Sequence, residues 1–253
     1  MILESTGIVL KIFPYSNTSL ICNILTEEQG KLTFIAKGVR KNKNPLLSIL
    51  QPFHLLELQY YYKKDRSMQL IKEADIVNSF DPLRQNFNTL VMGGSILNII
   101  NKIFEQEYPN DIIFRLVSKT LNKLSSDNRS NSKLFIFFLF HLSKQLGVMP
   151  NIYQCYACNK SFDQEAIFSH HSQSLVCASC NSTTNLDDYI LNPDILYFLN
   201  LINKTNIDDI PNIEISSDDL YKLYCFLMMF MKSHIHNMDR LKGLKQLEKI
   251  CYA

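Results

Sequence analysis

The clearest chemistry in the chain lies in two Cys-x-x-Cys pairs, Cys155-Tyr156-Ala157-Cys158 and Cys177-Ala178-Ser179-Cys180, separated by eighteen residues. Each pair bends the backbone so that its two sulfurs face one point, and a zinc ion takes four such thiolates tetrahedrally at about 2.3 Å. A shell filled by protein leaves no place for a water nucleophile, so the spacing predicts one structural Zn2+ per chain and argues against a catalytic ion. The rival reading is disulfide pairing. It fits paired spacing poorly in a chain whose start, Met1-Ile2-Leu3-Glu4, lacks the basic and apolar regions of a secretion signal. His170 and His171 lie in the connector and could replace one sulfur, although four suitably spaced cysteines already complete the shell. Cys22 and Cys225 sit in apolar runs, where a thiol acts as a small core hydrophobe.

The second constellation is cationic. Lys31, Lys37, Arg40, Lys41 and Lys43 follow one another without an intervening acid, four of them in the turn-like segment Lys37-Gly38-Val39-Arg40-Lys41-Asn42-Lys43-Asn44-Pro45. A glycine-containing basic turn can follow a phosphate backbone, because compact cations displace condensed counterions. Lys63, Lys64 and Arg66 form a weaker group, interrupted by Asp65. Phe34, Phe53, Tyr60, Tyr61 and Tyr62 lie close in sequence to these cations. Exposed rings would stack on bases, but alternation along a strand should bury about half of them, which makes core packing the favoured reading.

Signatures of enzymes are missing: the chain has no phosphate-binding glycine loop, nucleophile elbow or zincin helix. His141, His234 and His236 fall in apolar helical patterns, and His234 and His236, two apart, do not share a helix face. The acidic pairs Asp187-Asp188, Asp208-Asp209 and Asp218-Asp219 stand at loops or helix starts, where capping accounts for them.

These groups must be positioned by three blocks. Short strand patterns cover Gly7–Phe13, Ser19–Thr26, Lys31–Ala36, Phe53–Tyr62 and Met68–Val77. Five short strands in so few residues predict a small barrel of OB type over residues 1–80, carrying the nucleic-acid site. From Asp81-Pro82 the periodicity becomes helical, opening a helix toward Glu105 weakened at Gly93-Gly94. Further helices are expected over Asp111–Leu124, Ser132–Leu146 (closed by Gly147), Pro193–Lys204, Asp218–Asn237 and Asp239–Cys251. The expected class is α+β: the barrel, then a helical domain over residues 81–253 into which the zinc ribbon is inserted at about 151–186.

Charge sets the two constellations apart. Residues 1–80 carry ten Lys/Arg against seven Asp/Glu, whereas residues 154–190 carry one against four. The barrel is therefore +3 and the cysteine segment −3, which places an anionic partner on the barrel. No apolar run is long enough to cross a bilayer, and reduced thiols without an export signal suggest the cytoplasm.

In the order Thr6-Gly7-Ile8-Val9-Leu10-Lys11, Leu25-Thr26-Glu27-Glu28-Gln29-Gly30-Lys31, Ala36-Lys37-Gly38-Val39-Arg40-Lys41 and Leu50-Gln51-Pro52-Phe53, followed by the four cysteines, the chain resembles the bacterial recombination mediator family RecO. The resemblance spans nearly the whole sequence. It implies a non-enzymatic repair protein, associated with the bacterial nucleoid, that binds single- and double-stranded DNA and anneals complementary strands. It further implies work with RecR to load RecA onto strands coated by single-stranded-DNA-binding protein, whose C-terminal tail the helical domain would receive. The family's basic barrel surface maps onto Lys37, Arg40 and Lys41, with Lys11 and Lys43 as nearby extensions, and its zinc ligands onto Cys155, Cys158, Cys177 and Cys180. The alternative is a zinc-stapled protein-interaction scaffold whose DNA contact is incidental.

Overall fold

A computed structural model of the chain describes residues 1–41, 44–104, 108–127, 130–181, 189–235 and 247. The chain divides into two compact units, Met1–Asn128 and Arg129–Asn237, with Leu247 belonging to the first.

In the first unit, β-branched and aromatic residues at alternate positions build five strands: β1 (Ile2–Tyr15), β2 (Ser19–Thr26), β3 (Gly30–Ala36), β4 (Leu55–Tyr61) and β5 (Gln69–Asn78). They close into a barrel in the order β1-β2-β3-β5-β4. All neighbours are antiparallel except β3 and β5, which pair in parallel at Phe34↔Gln69 and Ile35↔Leu70. This is the expected five-stranded OB-type barrel. Val9, Cys22, Ile24, Leu32, Phe34, Leu58 and Tyr60 fill its interior. Burial pushes the Cys22 thiol up to about 12, so it is an inert core group.

Strand β1 serves two partners. Ile2–Ile8 pair with β4, and Gly7–Tyr15 pair with β2. Between Val9 and Lys11 the register with β2 slips by one residue, leaving Leu10 as a bulge. Val9 belongs to the barrel core and Ile12 packs against it, so the inward positions are odd before the bulge and even after it. Lys11, Phe13 and Tyr15 consequently face outward.

Around the barrel lie the short helices α1 (Leu46–Ile49) and α2 (Pro82–Gln85), then α3 (Phe87–Ile103) and α4 (Asp111–Ser126). The sequence suggests one helix from Asp81 toward Glu105; the structure breaks it at Asn86. Asn86 is extended at φ −122°, ψ 129°, and its side chain accepts from the amides of Asn88 and Thr89. Asparagine satisfies the free amides of a helix start better than it serves a helix interior. Gly93-Gly94 does not interrupt α3. A Cβ at Gly93 would sit 2.9 Å from the Phe53 ring, so the missing side chain permits a close approach.

The second unit is built on α5 (Asn131–Gln145), α6 (Pro193–Lys204) and α7 (Ser217–His234). Leu134 through Phe140 are all buried, as an apolar run without a polar face requires. Gly147 adopts φ +71° just past α5, the left-handed turn that commonly closes a helix. At the head of α7 the Ser216 side chain accepts from the Asp219 amide at 3.0 Å. Between α5 and α6 lies a small sheet, β6 (Ala166–Ser169), β7 (Ser174–Val176) and β8 (Ile190–Leu191), in the order β7-β6-β8. Its third strand comes after residue 186 and leads into α6. The helix expected over Asp239–Cys251 lies outside the described residues, save Leu247, which is buried. Among the described residues no helix is long and apolar enough to cross a membrane.

Candidate functional site

The four cysteines come together. Their sulfurs all lie within 4.8 Å of one another, in a group that could hold a metal ion. A tetrahedron of bonds about 2.3 Å long has edges of about 3.8 Å, and the Cys158 and Cys177 sulfurs stand 3.9 Å apart. The donor set therefore fits a four-thiolate ion in both kind and spacing. The local backbone explains the convergence. The Asn159 amide bonds the Cys155 carbonyl at 2.9 Å, and Asn159 takes φ +59°, folding the first pair into a tight knuckle. Across the site, the Cys177 amide donates to the Cys155 sulfur at 3.3 Å. The second pair turns through a short 3-10 segment, Ala178–Cys180.

The sulfurs differ electrostatically. Burial pushes the Cys155 thiol up, but hydrogen bonds from the Cys177, Cys158 and Ala157 backbone and the Cys158 thiol outweigh it and bring the group down to about 6. Hydrogen bonding to Cys177 and Cys158 pushes Cys180 up to about 12. The thiolate is thus favoured at Cys155 and the thiol at Cys180, and a divalent cation would displace the proton that the second sulfur holds. His170 and His171 are not part of the group, and the His170 ring packs edge-on against Phe168 at 5.2 Å.

The cationic residues lie on the barrel. Lys37, Arg40 and Lys41 are exposed in the turn after β3, anchored by the buried side chain of Val39. Gly38 at φ +72° allows the chain to reverse. The Arg40 amide donates to the Thr18 carbonyl at 2.8 Å, and its guanidinium donates to the Ser16 carbonyl at 3.1 Å. This ties the basic turn to the β1–β2 connection. Lys11 is exposed on β1, its ammonium 4.8 Å from the centre of the Phe13 ring. Lys43 lies outside the described residues. Lys31, although in the same basic stretch, donates to the Asn101 carbonyl at 2.8 Å and so belongs to the packing of α3 on the barrel.

A second basic turn, Lys63–Arg66, is shaped by one side chain that the sequence does not single out. Gln69, 1 % exposed, accepts from the Lys63 amide at 2.9 Å and donates to the carbonyls of Lys63 at 3.0 Å and Arg66 at 3.1 Å. Lys63, Lys64 and Arg66 all stand exposed around it. Of the nearby aromatics, Phe34, Phe53 and Tyr60 are buried, while Tyr61 is exposed and Tyr62 half-buried. Phe13 and Tyr15, beside Lys11, are exposed instead. The signal that could have found them is the bulge at Leu10, which strict alternation cannot show.

The helical histidine and carboxylates have local roles. His141 Nε2 donates to the Ile202 carbonyl at 3.0 Å, and its ring lies 4.2 Å from that of Phe137. Asp208 and Asp209 lie in the first turn of the 3-10 segment Ile207–Asn212, and Asp218 and Asp219 in the first turn of α7. Asp187, Asp188 and His236 lie outside the described residues.

Together these features define a class: an OB-type barrel with exposed basic turns, followed by helices that carry a four-thiol cluster. Comparison with known proteins narrows it. Residues 1–80 match the family model described as Recombination protein O N terminal, and residues 84–244 match Recombination protein O C terminal. A DNA repair protein RecO from Salinibacter ruber is 32% identical over 151 residues, 60% of this chain and 58% of that protein. Those of Prosthecochloris aestuarii and Syntrophus aciditrophicus are 24% and 25% identical, covering 99% and 98% of this chain and 98% and 95% of theirs. The chain belongs to the RecO family of DNA repair proteins.

Proposed function

We propose that this chain is a non-enzymatic recombination mediator that binds single- and double-stranded DNA through its barrel and anneals complementary strands. The observation that carries the reading is the exposed, acid-free turn of Lys37, Arg40 and Lys41, held open by Val39 and the Ser16–Thr18 carbonyls on an OB-type barrel. Lys11 extends the same phosphate-binding surface, and Lys43, close by in sequence, is assigned to it with them. Annealing needs no hydrolysis: a basic surface that holds two strands screens their repulsion, and base pairing supplies the free energy.

In this reading residues 1–80 form the nucleic-acid-binding domain and residues 81–253 the helical domain. Cys155, Cys158, Cys177 and Cys180 hold one structural Zn2+, which fastens the segment at about 151–186. The protein works with RecR to load RecA onto DNA coated by single-stranded-DNA-binding protein, whose C-terminal tail docks on the helical domain. It acts in the bacterial cytoplasm, at the nucleoid. The test is the annealing rate of complementary strands, bare and coated with single-stranded-DNA-binding protein. The reading expects acceleration in both cases, weakening as salt rises; a protein that leaves the bare-strand rate unchanged at low salt is a scaffold instead.

A further inference from the structure

On the outer face of the barrel a row of apolar groups crosses four strands. Phe13 on β1 pairs with Ile21 on β2, Ile21 with Ile35 on β3, and Ile35 with Leu70 on β5. Ile21, Ile35 and Leu70 are half-buried, while Phe13 is 38 % exposed and Tyr15, two residues further along the same face, 45 % exposed. An unbulged strand would turn the Phe13 ring into the barrel. The extra residue at Leu10 directs it outward, the kind of re-aiming for which bulges recur beside functional sites.

Cations lie near the row. Lys11 lies over Phe13, and the Arg40 guanidinium is bonded to the carbonyl of Ser16, next in the chain after Tyr15. At the other end of the row, Leu70 follows Gln69, which shapes the Lys63–Arg66 turn. An occupant of this face must offer flat apolar groups and negative charge together.

We infer that Phe13 and Tyr15 form a stacking platform for unpaired nucleobases, which gives the barrel a preference for single-stranded over duplex DNA. Side chains two residues apart on a strand are separated by about 6.8 Å, twice the 3.4 Å rise of B-form bases. Neighbouring bases must separate to lie on both rings, and in a duplex each base face is already covered by the next pair. The phosphates then follow Lys11 and the basic turn. Every base has such a face, so the platform is indifferent to sequence.

The inference rests on the DNA-binding reading, and the experiment separates the two. Affinities for an oligothymidylate and for a duplex of equal length are measured at one salt concentration, for the native protein and for Phe13→Leu with Tyr15→Leu. Leucine keeps apolar bulk on the strand and removes the rings. Single-strand affinity should fall about tenfold or more, with duplex affinity, salt dependence and melting temperature unchanged. Equal losses on both DNA forms, or none, would overturn the platform while leaving phosphate binding intact. Absence of DNA binding by the native protein would overturn both. If the double variant melts early, single-strand crosslinking through 5-iododeoxyuridine to the native protein decides, and labelling that misses Phe13 and Tyr15 rejects the platform.

Discussion

The basic turns of the barrel and the cysteine knuckles of the second unit each gather groups of one kind, cations in one and sulfurs in the other, but they arrange them in opposite ways. Lys37, Arg40 and Lys41 point into solvent from a turn fixed by backbone carbonyls, so no two of them share a point. The four cysteines converge within 4.8 Å of one another, and Cys155 is fully buried. Repelling charges that are spread and exposed suit a counter-charge that is extended and exchangeable, such as a polyanion. Sulfurs that converge on one point suit a compact cation that stays. In the proposed function the contrast is one between a surface for an exchangeable ligand and a site that belongs to the fold.

The sharpest break in that contrast comes from denying the four sulfurs the ion proposed for them. In small zinc modules the ion contributes on the order of 10 kcal/mol to folding at neutral pH. Chelation, or Cys155→Ser, should therefore unfold the cysteine segment and lower solubility, read by zinc content and thermal melting. Loss of DNA binding with an unaltered melting profile would instead move function to the knuckles. Next in size is Lys37→Ala with Arg40→Ala and Lys41→Ala. Removing three phosphate contacts should lower the single-strand salt slope by about 2 units, with folding unaffected; an unaltered slope would exclude this turn from the interface.

Gln69→Ala tests whether the second basic turn is equally built. It removes the partner of the Lys63 amide and the Arg66 carbonyl, while the Lys63 carbonyl keeps its bond from the Arg66 amide, and should cost about 1–2 kcal/mol in denaturant unfolding. DNA affinity should weaken as well, and unchanged affinity would detach this turn from the surface. The smallest effect belongs to His141. Burial holds its imidazole below the ordinary 6.5, against the opposing bond to the Ile202 carbonyl and with some help from Lys144. The unfolded chain takes up a proton that the folded chain refuses. Stability is thus complete above pH 6.5 and falls as pH drops through that value toward the folded one. In His141→Gln the melting temperature should vary less between pH 7.5 and 5.5 than in the native protein.

What could be read without a structure follows from how local each determinant is. Cys-x-x-Cys geometry is set within four residues, so the cluster of Cys155, Cys158, Cys177 and Cys180 was legible, as were the strands Ser19–Thr26 and Lys31–Ala36 with their simple alternation, the latter beginning one residue earlier at Gly30. The helix break at Asn86 was missed because Asp81-Pro82 offers an earlier helix start and masks the cap five residues further on. Phe13 and Tyr15 were missed for a subtler reason: Val9 and Leu10 are both apolar, and only cross-strand register reveals the extra residue that reverses the facing of everything after it. Gln69 could not be found from its own neighbourhood either, since its value lies in three bonds to residues three and six positions away.

The parallel seam between β3 and β5 holds two residue pairs. It is the shortest ladder in the barrel wall, and both basic turns attach to its strands, one leaving after Ala36 and the other arriving before Gln69. Where a closed wall is joined by so few pairs, its amides exchange with solvent by opening locally, well before the whole barrel unfolds. A strand of nucleic acid lying across both turns would act as a clasp on that gap, because opening would have to break the contacts on one side. Deuterium uptake at Phe34, Ile35, Leu70 and Ile71 would then report occupancy of the barrel surface, without any probe placed on the DNA.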